Sequence, residues 1–221
     1  MAIRLEKGQR INLEKECGTK LTNFCVGCNW GAIIEKKFFG LSTHVVDVDL
    51  DLSCMMFDAA GNVVDHIWSP LYNFRGKLPQ GKLDSNDHAL HHTGDDRTGD
   101  QNGDDGLDNE IITVDLNRVN PNVNSIVFFL NIYNNSEYSG DFSGIPYASI
   151  RMFEGTPDRP PKQVFAQYNV ATKTECAGKR ALVMGKLYRH NGDWKFAAIG
   201  DAFEDRIIGV TIARVARDYS K

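Results

Sequence analysis

Between residues 46 and 56 an apolar side chain falls on every even position, Val46, Val48, Leu50, Leu52, Cys54 and Met56, while the odd positions open with Asp47, Asp49, Asp51 and Ser53. Successive side chains of a strand point to opposite faces, so this segment buries one face and presents a row of three aspartates on the other. The same period of two recurs in Phe24, Val26, Cys28 and Trp30, and strand signals follow at 111–116, 126–132, 147–153, 163–168, 181–188 and 194–199. An alternation of this kind cannot be buried by helices. It predicts an all-β chain folded as a two-sheet β-sandwich with at most one or two short helices.

Turn chemistry fits that reading. Asp58-Ala59-Ala60-Gly61 separates the aspartate strand from a returning strand at 63–68, and His190-Asn191-Gly192-Asp193 is an Asn-Gly hairpin turn whose residues tolerate positive φ. Ile3 and Leu5, then Ile11 and Leu13, flank Lys7-Gly8-Gln9 and predict a short N-terminal hairpin, while 32–41 reads as a connection. The spacing of Ile207, Val210, Ile212 and Val215 fits either a strand and tail or a short helix. With no repeat and no linker composition, residues 1–221 read as one domain, a size ordinary for a β-sandwich.

Residues 69–110 are poor in strand signals, and a segment of that length inside a compact domain is usually functional or disordered. Its second half holds most of the molecule's charge asymmetry. From Asp84 to Glu110 nine acidic residues face one arginine, a charge of −8, whereas the other 194 residues carry +4. Asp95, Asp96, Asp100, Asp104 and Asp105 are interleaved with Gly94, Gly99, Gly103 and Gly106. Calcium takes roughly six to eight hard oxygen ligands, and glycines let a chain curl so that such oxygens converge. Asp49 and Asp51 on one strand face offer a rigid wall for the loop, which favours metal binding over a solvated acidic linker. An EF-hand does not fit: counted from Asp100, position six is Asp105 rather than glycine and position twelve is Ile111 rather than glutamate.

Other classes are disfavoured. No stretch approaches the roughly 18 apolar residues of a membrane helix, and the charged start Met1-Ala2-Ile3-Arg4-Leu5-Glu6-Lys7 is unlike a signal peptide. Five cysteines suit reduced thiols in a cytoplasmic protein. No Lys/Arg-dense stripe exists for nucleic acid. A nucleophile elbow and a phosphate-binding glycine loop are both missing.

Three segments together resemble the TerD family of bacterial tellurium-resistance and general stress proteins: Val48-Asp49-Leu50-Asp51-Leu52-Ser53; His92-Thr93-Gly94-Asp95-Asp96-Arg97-Thr98-Gly99 leading to Gly103-Asp104-Asp105; and Tyr188-Arg189-His190-Asn191-Gly192-Asp193-Trp194-Lys195-Phe196. The resemblance spans residues 1 to about 200. It implies a calcium-binding β-sandwich without known catalysis, acting with other stress-operon proteins in complexes at or near the cytoplasmic membrane. Carried over by position, the ligands of about two Ca2+ ions are Asp49, Asp51, Asp95, Asp96, Asp100, Asp104 and Asp105, with backbone carbonyls such as that of Arg97. The family usually has Asn at position 96, Glu at position 100 and an acidic residue directly after the paired aspartates. Here Gly106-Leu107-Asp108-Asn109 intervenes before Glu110, so either Asp108 or Glu110 takes that role. Extra residues lie at 71–90 and 154–163.

Two further clusters compete. Cys25-Val26-Gly27-Cys28 has zinc-knuckle spacing, but residues i and i+3 of a strand face opposite sides and no second pair exists, so a structural role is favoured. His88, His91 and His92 suit zinc and define a rival reading, a zinc-dependent hydrolase; exposure in a polar loop, with His92 supporting the calcium loop, is the expectation. A third reading is a structural assembly subunit whose loops calcium rigidifies, with oligomerisation possible. Asn134, after the apolar 126–132 strand, is a weaker additional ligand candidate.

Overall fold

The computed structural model describes residues 3–4, 7–13, 18–37, 39, 41–72, 78–134, 138–171 and 174–221. Fourteen strands, one α-helix and two single-turn 3-10 helices (Phe142–Gly144 and Thr174–Cys176) are found among them. The first sheet contains β1 (Ile3–Arg4), β3 (Asn23–Trp30), β8 (Leu90–His92), β9 (Glu110–Asp115), β11 (Ala148–Glu154) and β12 (Gln163–Asn169), in the order β1-β12-β11-β3-β9-β8. The second contains β2 (Arg10–Asn12), β6 (Leu50–Phe57), β7 (Val63–Ile67), β10 (Ser125–Ile132), β13 (Ala181–His190) and β14 (Asp193–Phe203), in the order β2-β14-β13-β10-β6-β7. A separate hairpin joins β4 (Ile33–Lys37) to β5 (Ser42–Val46). All pairings are antiparallel except that of β1 with β12.

Alternation decides which side chains fill the space between the sheets. Leu50, Leu52, Cys54 and Met56 of β6 and Ile126, Phe128 and Leu130 of β10 meet Val26, Cys28, Trp30, Ile112, Val114, Ile150 and Met152 of the first sheet in one core. Met55, Phe57, Val127, Phe129 and Val183 point the other way, and α1 (Ile208–Asp218) covers them with Ile208, Ile212 and Val215. The helix therefore seals the outer face of the second sheet. Cys25 and Cys28 lie in different clusters on opposite sides of β3, as expected of structural thiols.

Four expectations need correction. The N-terminal segments form no hairpin, because β1 joins the first sheet and β2 the second; Leu5 lies outside the described residues. The supposed connection at 32–41 contains β4 and runs into β5, a hairpin whose charged, mostly exposed residues carry no apolar alternation. The 46–56 segment is not continuous, since β5 ends at Val46 and β6 begins at Leu50. The long 69–110 segment contributes β8, and Glu110 already belongs to β9. The Asn-Gly turn is as expected, with φ of 52° at Asn191 and 85° at Gly192, and the ambiguous C-terminus is helical.

Candidate metal centre

The break before β6 and the loop before β9 meet at one end of the sandwich. Asp49, Asp51 and Asp95 can each bring a carboxylate oxygen within 4.8 Å of the others, and so can Asp100, Asp104 and Asp105. Six of the seven aspartates expected as ligands fall in these two groups, and Asp96 falls in neither.

The first group is sunk into the fold, with Asp49 5% and Asp51 2% exposed. Asp49 Oδ1 is buried without a hydrogen-bond partner. One oxygen of Asp51 is engaged, accepting a 2.6 Å hydrogen bond from the Tyr72 hydroxyl. Glu110, 1% exposed, lies on the inward face of β9 and accepts from the Leu52 amide at 2.7 Å and the Asp96 amide at 3.2 Å. Unit charges at about 4.8 Å repel by roughly 3–4 kcal/mol at an effective dielectric of about 20. Three ionised carboxylates are thus unstable together without protons or a cation. Burial first, then the Asp95 charge, pushes the Asp49 carboxyl up to about 7. Burial, then Glu110 and Asp49, pushes Asp51 well above the usual carboxylate range, and burial does the same to Glu110. Arg97, expected to offer its carbonyl, has a largely exposed side chain 3.9 Å from Asp95.

The second group sits against the outer face of β3 and is more exposed. Asp100 accepts from the Asn109 side-chain amide at 3.1 Å and the Tyr147 hydroxyl at 2.9 Å. Its backbone is clamped to the strand end, donating to the Trp30 carbonyl and accepting from the Ala32 amide, each at 2.9 Å. Asp104 Oδ1 accepts from the Gly106 amide at 2.8 Å and the Asn29 side-chain amide at 3.2 Å, while Asp105 Oδ1 accepts from the Leu107 amide. Their second oxygens remain for a ligand. Asp96 is brought to neither group; its Oδ1 caps its own turn at Thr98 and its Oδ2 lies 3.4 Å from Asn109.

Neither Asp108 nor Glu110 joins the second group. Asp108 is held by Arg151 Nε at 2.8 and 3.0 Å, over Gly27, where an added Cβ would stand 2.2 Å from its Oδ2. Glu110 instead faces the first group.

The histidines do not converge. His91 is exposed and paired with Asp84 at 2.9 Å, and His88 is exposed with a φ of 53°. His92, against expectation, is only 1% exposed. Its Nδ1 accepts from the Gly94 amide at 3.0 Å, so Nε2 carries the proton and donates to the Leu52 carbonyl at 3.1 Å. Burial lowers its pKa to about 4, which keeps it neutral. Neither three-ligand group among the described residues contains a histidine. Asn134 is exposed, but the amide of the preceding Tyr133 donates to the Asp49 carbonyl at 2.8 Å.

Sequence reasoning missed Tyr72, Tyr147, Asn29, Asn109 and Arg151. Asn29 had a readable signal, a polar side chain on the outward face of an apolar strand. Tyr72 had none, because it precedes no motif.

The donor set is all carboxylate oxygen, one of them the unpartnered buried Asp49 Oδ1, which suits a hard cation such as calcium rather than zinc. The TerD domain profile matches residues 1–214. Stress response protein SCP2 of Bacillus subtilis (strain 168) is 34% identical over 97% of this chain and 99% of its own length. Tellurium resistance protein TerD of Serratia marcescens is 30% identical over 95% of each. In fold, the chain superposes on a homologue of telluride resistance protein TerD from Streptomyces coelicolor A3(2) with a TM-score of 0.58 and 15% identity, over 90% of this chain and 98% of that one. By the match of the TerD domain profile to residues 1–214 and the identity of 30% and more to these relatives over nearly the whole chain, the chain belongs to the TerD family.

Proposed function

We propose that this protein is a non-catalytic calcium-binding module of a stress response of the tellurium-resistance type, taking about two Ca2+ ions. The observation that carries the reading is the convergence of Asp49, Asp51 and Asp95, the first two buried, which leaves Asp49 Oδ1 without a hydrogen-bond partner. One ion belongs there with Glu110 beside it, and a second belongs with Asp100, Asp104 and Asp105. The relatives named above are stress-response and tellurium-resistance proteins, and none of those names denotes an enzyme. Calcium here orders the loop between β8 and β9 against the start of β6, and the ordered end is what other proteins of the same cytoplasmic stress complex read. No helix among the described residues is long and apolar enough to cross a membrane.

A cation that binds only the folded state stabilises it by RT ln(1 + [L]/Kd), about 2.7 kcal/mol at a hundredfold excess over Kd. At roughly 2–4 °C per kcal/mol for a chain of this size, saturating calcium raises the melting temperature by about 5–11 °C, and chelator reverses it. Asp104→Ala/Asp105→Ala loses part of that response. Asp49→Asn/Asp51→Asn melts higher than wild type without calcium, because repulsion is removed, yet gains little from calcium. An unchanged melting temperature in calcium, beside a large rise in zinc, sinks the reading.

A further inference from the structure

Eight large apolar side chains are exposed among the described residues, and four of them, Leu71, Tyr133, Ile207 and Val210, line one groove of about 740 Å³ against α1. Single exposed apolar residues are ordinary, but half of them gathered in one concavity mark a binding surface. The groove's charge is of one sign. Arg214 and Arg217 line it, and no carboxylate among the described residues does. Both arginines have internal partners, Asp205 and Asp218. Arg206, exposed and next to Ile207, has no ion-pair partner among the described residues, so residues 205–218 retain a net +1.

The groove is also wired to the carboxylate centre. Tyr72, which lines it, donates its hydroxyl to Asp51 Oδ2 at 2.6 Å. Tyr133, which also lines it, donates its backbone amide to the Asp49 carbonyl at 2.8 Å, and the two tyrosine rings meet edge to face at 5.7 Å. A change at Asp49 or Asp51 therefore reaches the groove through one hydrogen bond on each side.

We propose that the groove docks an amphipathic peptide segment of a partner protein, apolar on one face and flanked by acidic residues, and that an ion on Asp51 tightens docking by fixing Tyr72. A concave apolar surface accepts a helical segment in this way, and the free positive charge at its lip selects acidic flanks. A second copy of this chain offers no such segment in its acidic loop, where the sole large apolar residue of 95–108, Leu107, is half-buried with its carbonyl held by Asn29. An ion bound by one oxygen of Asp51 neutralises the repulsion that strains the centre while the other oxygen keeps Tyr72 in place, so the wall is ordered before the peptide arrives. The control by calcium rests on the calcium reading; the docking does not. By linkage, the peptide tightens calcium by the same factor that calcium tightens the peptide.

The test uses the full chain and two probes. One is the apolar anionic dye anilinonaphthalene sulfonate; the other is a fluorescein-labelled helical peptide with leucines on one face and glutamates beside them, next to a counterpart with lysine for glutamate. Expected results are that the acidic peptide displaces the dye, that the lysine counterpart binds far more weakly, and that Val210→Glu, its fold checked by circular dichroism, weakens the acidic peptide by about tenfold or more, the equivalent of about 1.4 kcal/mol. Calcium should tighten the acidic peptide several-fold in wild type. Tyr72→Phe, which keeps the ring and its packing, should show equal peptide affinity in chelator and in calcium at a concentration that calorimetry shows to be saturating. Equal binding of both peptides, wild-type affinity in Val210→Glu, or binding only to anionic phosphatidylglycerol vesicles overturns the docking. Calcium binding that leaves peptide affinity unchanged, or a calcium response retained by Tyr72→Phe, overturns the control while leaving the calcium reading intact. If calorimetry finds no calcium bound, the calcium reading and the control fall together, and the Val210→Glu comparison still decides the docking.

Discussion

Asp49 and His92 belong to the same buried end of the sandwich, and burial moves them in opposite directions. The carboxyl of Asp49 rises from 3.8 to about 7, and the imidazole of His92 falls from 6.5 to about 4. For Asp49 the folded chain keeps a proton that the unfolded chain has lost. Its contribution favours folding fully below pH 3.8 and is lost as pH rises through about 7. His92 works the other way: the unfolded chain takes up the proton first, so stability is full above pH 6.5 and lost as pH falls through about 4. Between these, from about pH 8 down to 6.5, only the carboxyls act, and Asp51 and Glu110 shift in the same direction as Asp49. In chelator, therefore, the melting temperature should climb as pH is lowered across that window. In saturating calcium the climb should vanish, because the ion replaces the protons. A calcium-free melting temperature that falls on mild acidification contradicts the assignment of these carboxyls to one crowded centre.

At the scale of elements, α1 is held to the sandwich by packing and by one polar thread. Asn131 on β10 donates to the Thr211 hydroxyl at 2.7 Å, which reaches Asp205 at 3.3 Å, and Asp205 is gripped by Arg214. Asn131 Oδ1 already lacks a partner, so removing the hydroxyl strands the buried amide altogether. Leaving a buried polar group unpaired costs about 1–3 kcal/mol. Thr211→Val should lower the melting temperature accordingly, and hydrogen exchange should quicken in α1 before it does in β6, β10 or β13. Equal acceleration everywhere would mean that the thread does not hold the helix. The same scale explains what was readable in advance. Strands such as β6, β10 and β13 bury one or both faces, and their apolar residues betray them. The β4–β5 hairpin buries almost nothing, so its charged residues gave no signal, and β1 and β2 are too short for a period to show. Asp49, Asp51 and Asp95 could be brought together from the sequence because an acidic strand face needs something to meet it. Tyr72, Asn29 and Tyr147 could not, since their bonds to Asp51, Asp104 and Asp100 span 21, 75 and 47 residues, and nothing local foretells which strand end a distant hydroxyl will reach.

For the molecule as a whole, the formal charge of −4 combines an acidic segment of −8 with a remainder of +4 and counts every carboxylate as ionised. The folded, ion-free protein departs from that count, because burial raises the carboxyls of Asp51 and Glu110 well above the usual carboxylate range and that of Asp49 to about 7, which favours protons on this centre. Ligation requires the ionised form, so calcium has to displace those protons. If two ions bind as proposed, they formally add +4, yet the net change is smaller by each proton that leaves. Calorimetry in buffers of different ionisation enthalpy measures that number directly. At pH 7 binding should release about one to three protons, fewer than three where the coupled carboxyls share one. Asp104→Ala/Asp105→Ala should bind fewer ions while still releasing protons from the first centre, whereas Asp51→Asn should release fewer. Raising the pH above that of Asp49 should shrink the release and tighten calcium, since the ion then competes with fewer protons. If calcium binds at pH 7 without releasing any, the three carboxylates stand ionised side by side in the apo protein. The repulsion among them would then have to be met by something other than protonation, and calcium would act on a centre already fully charged.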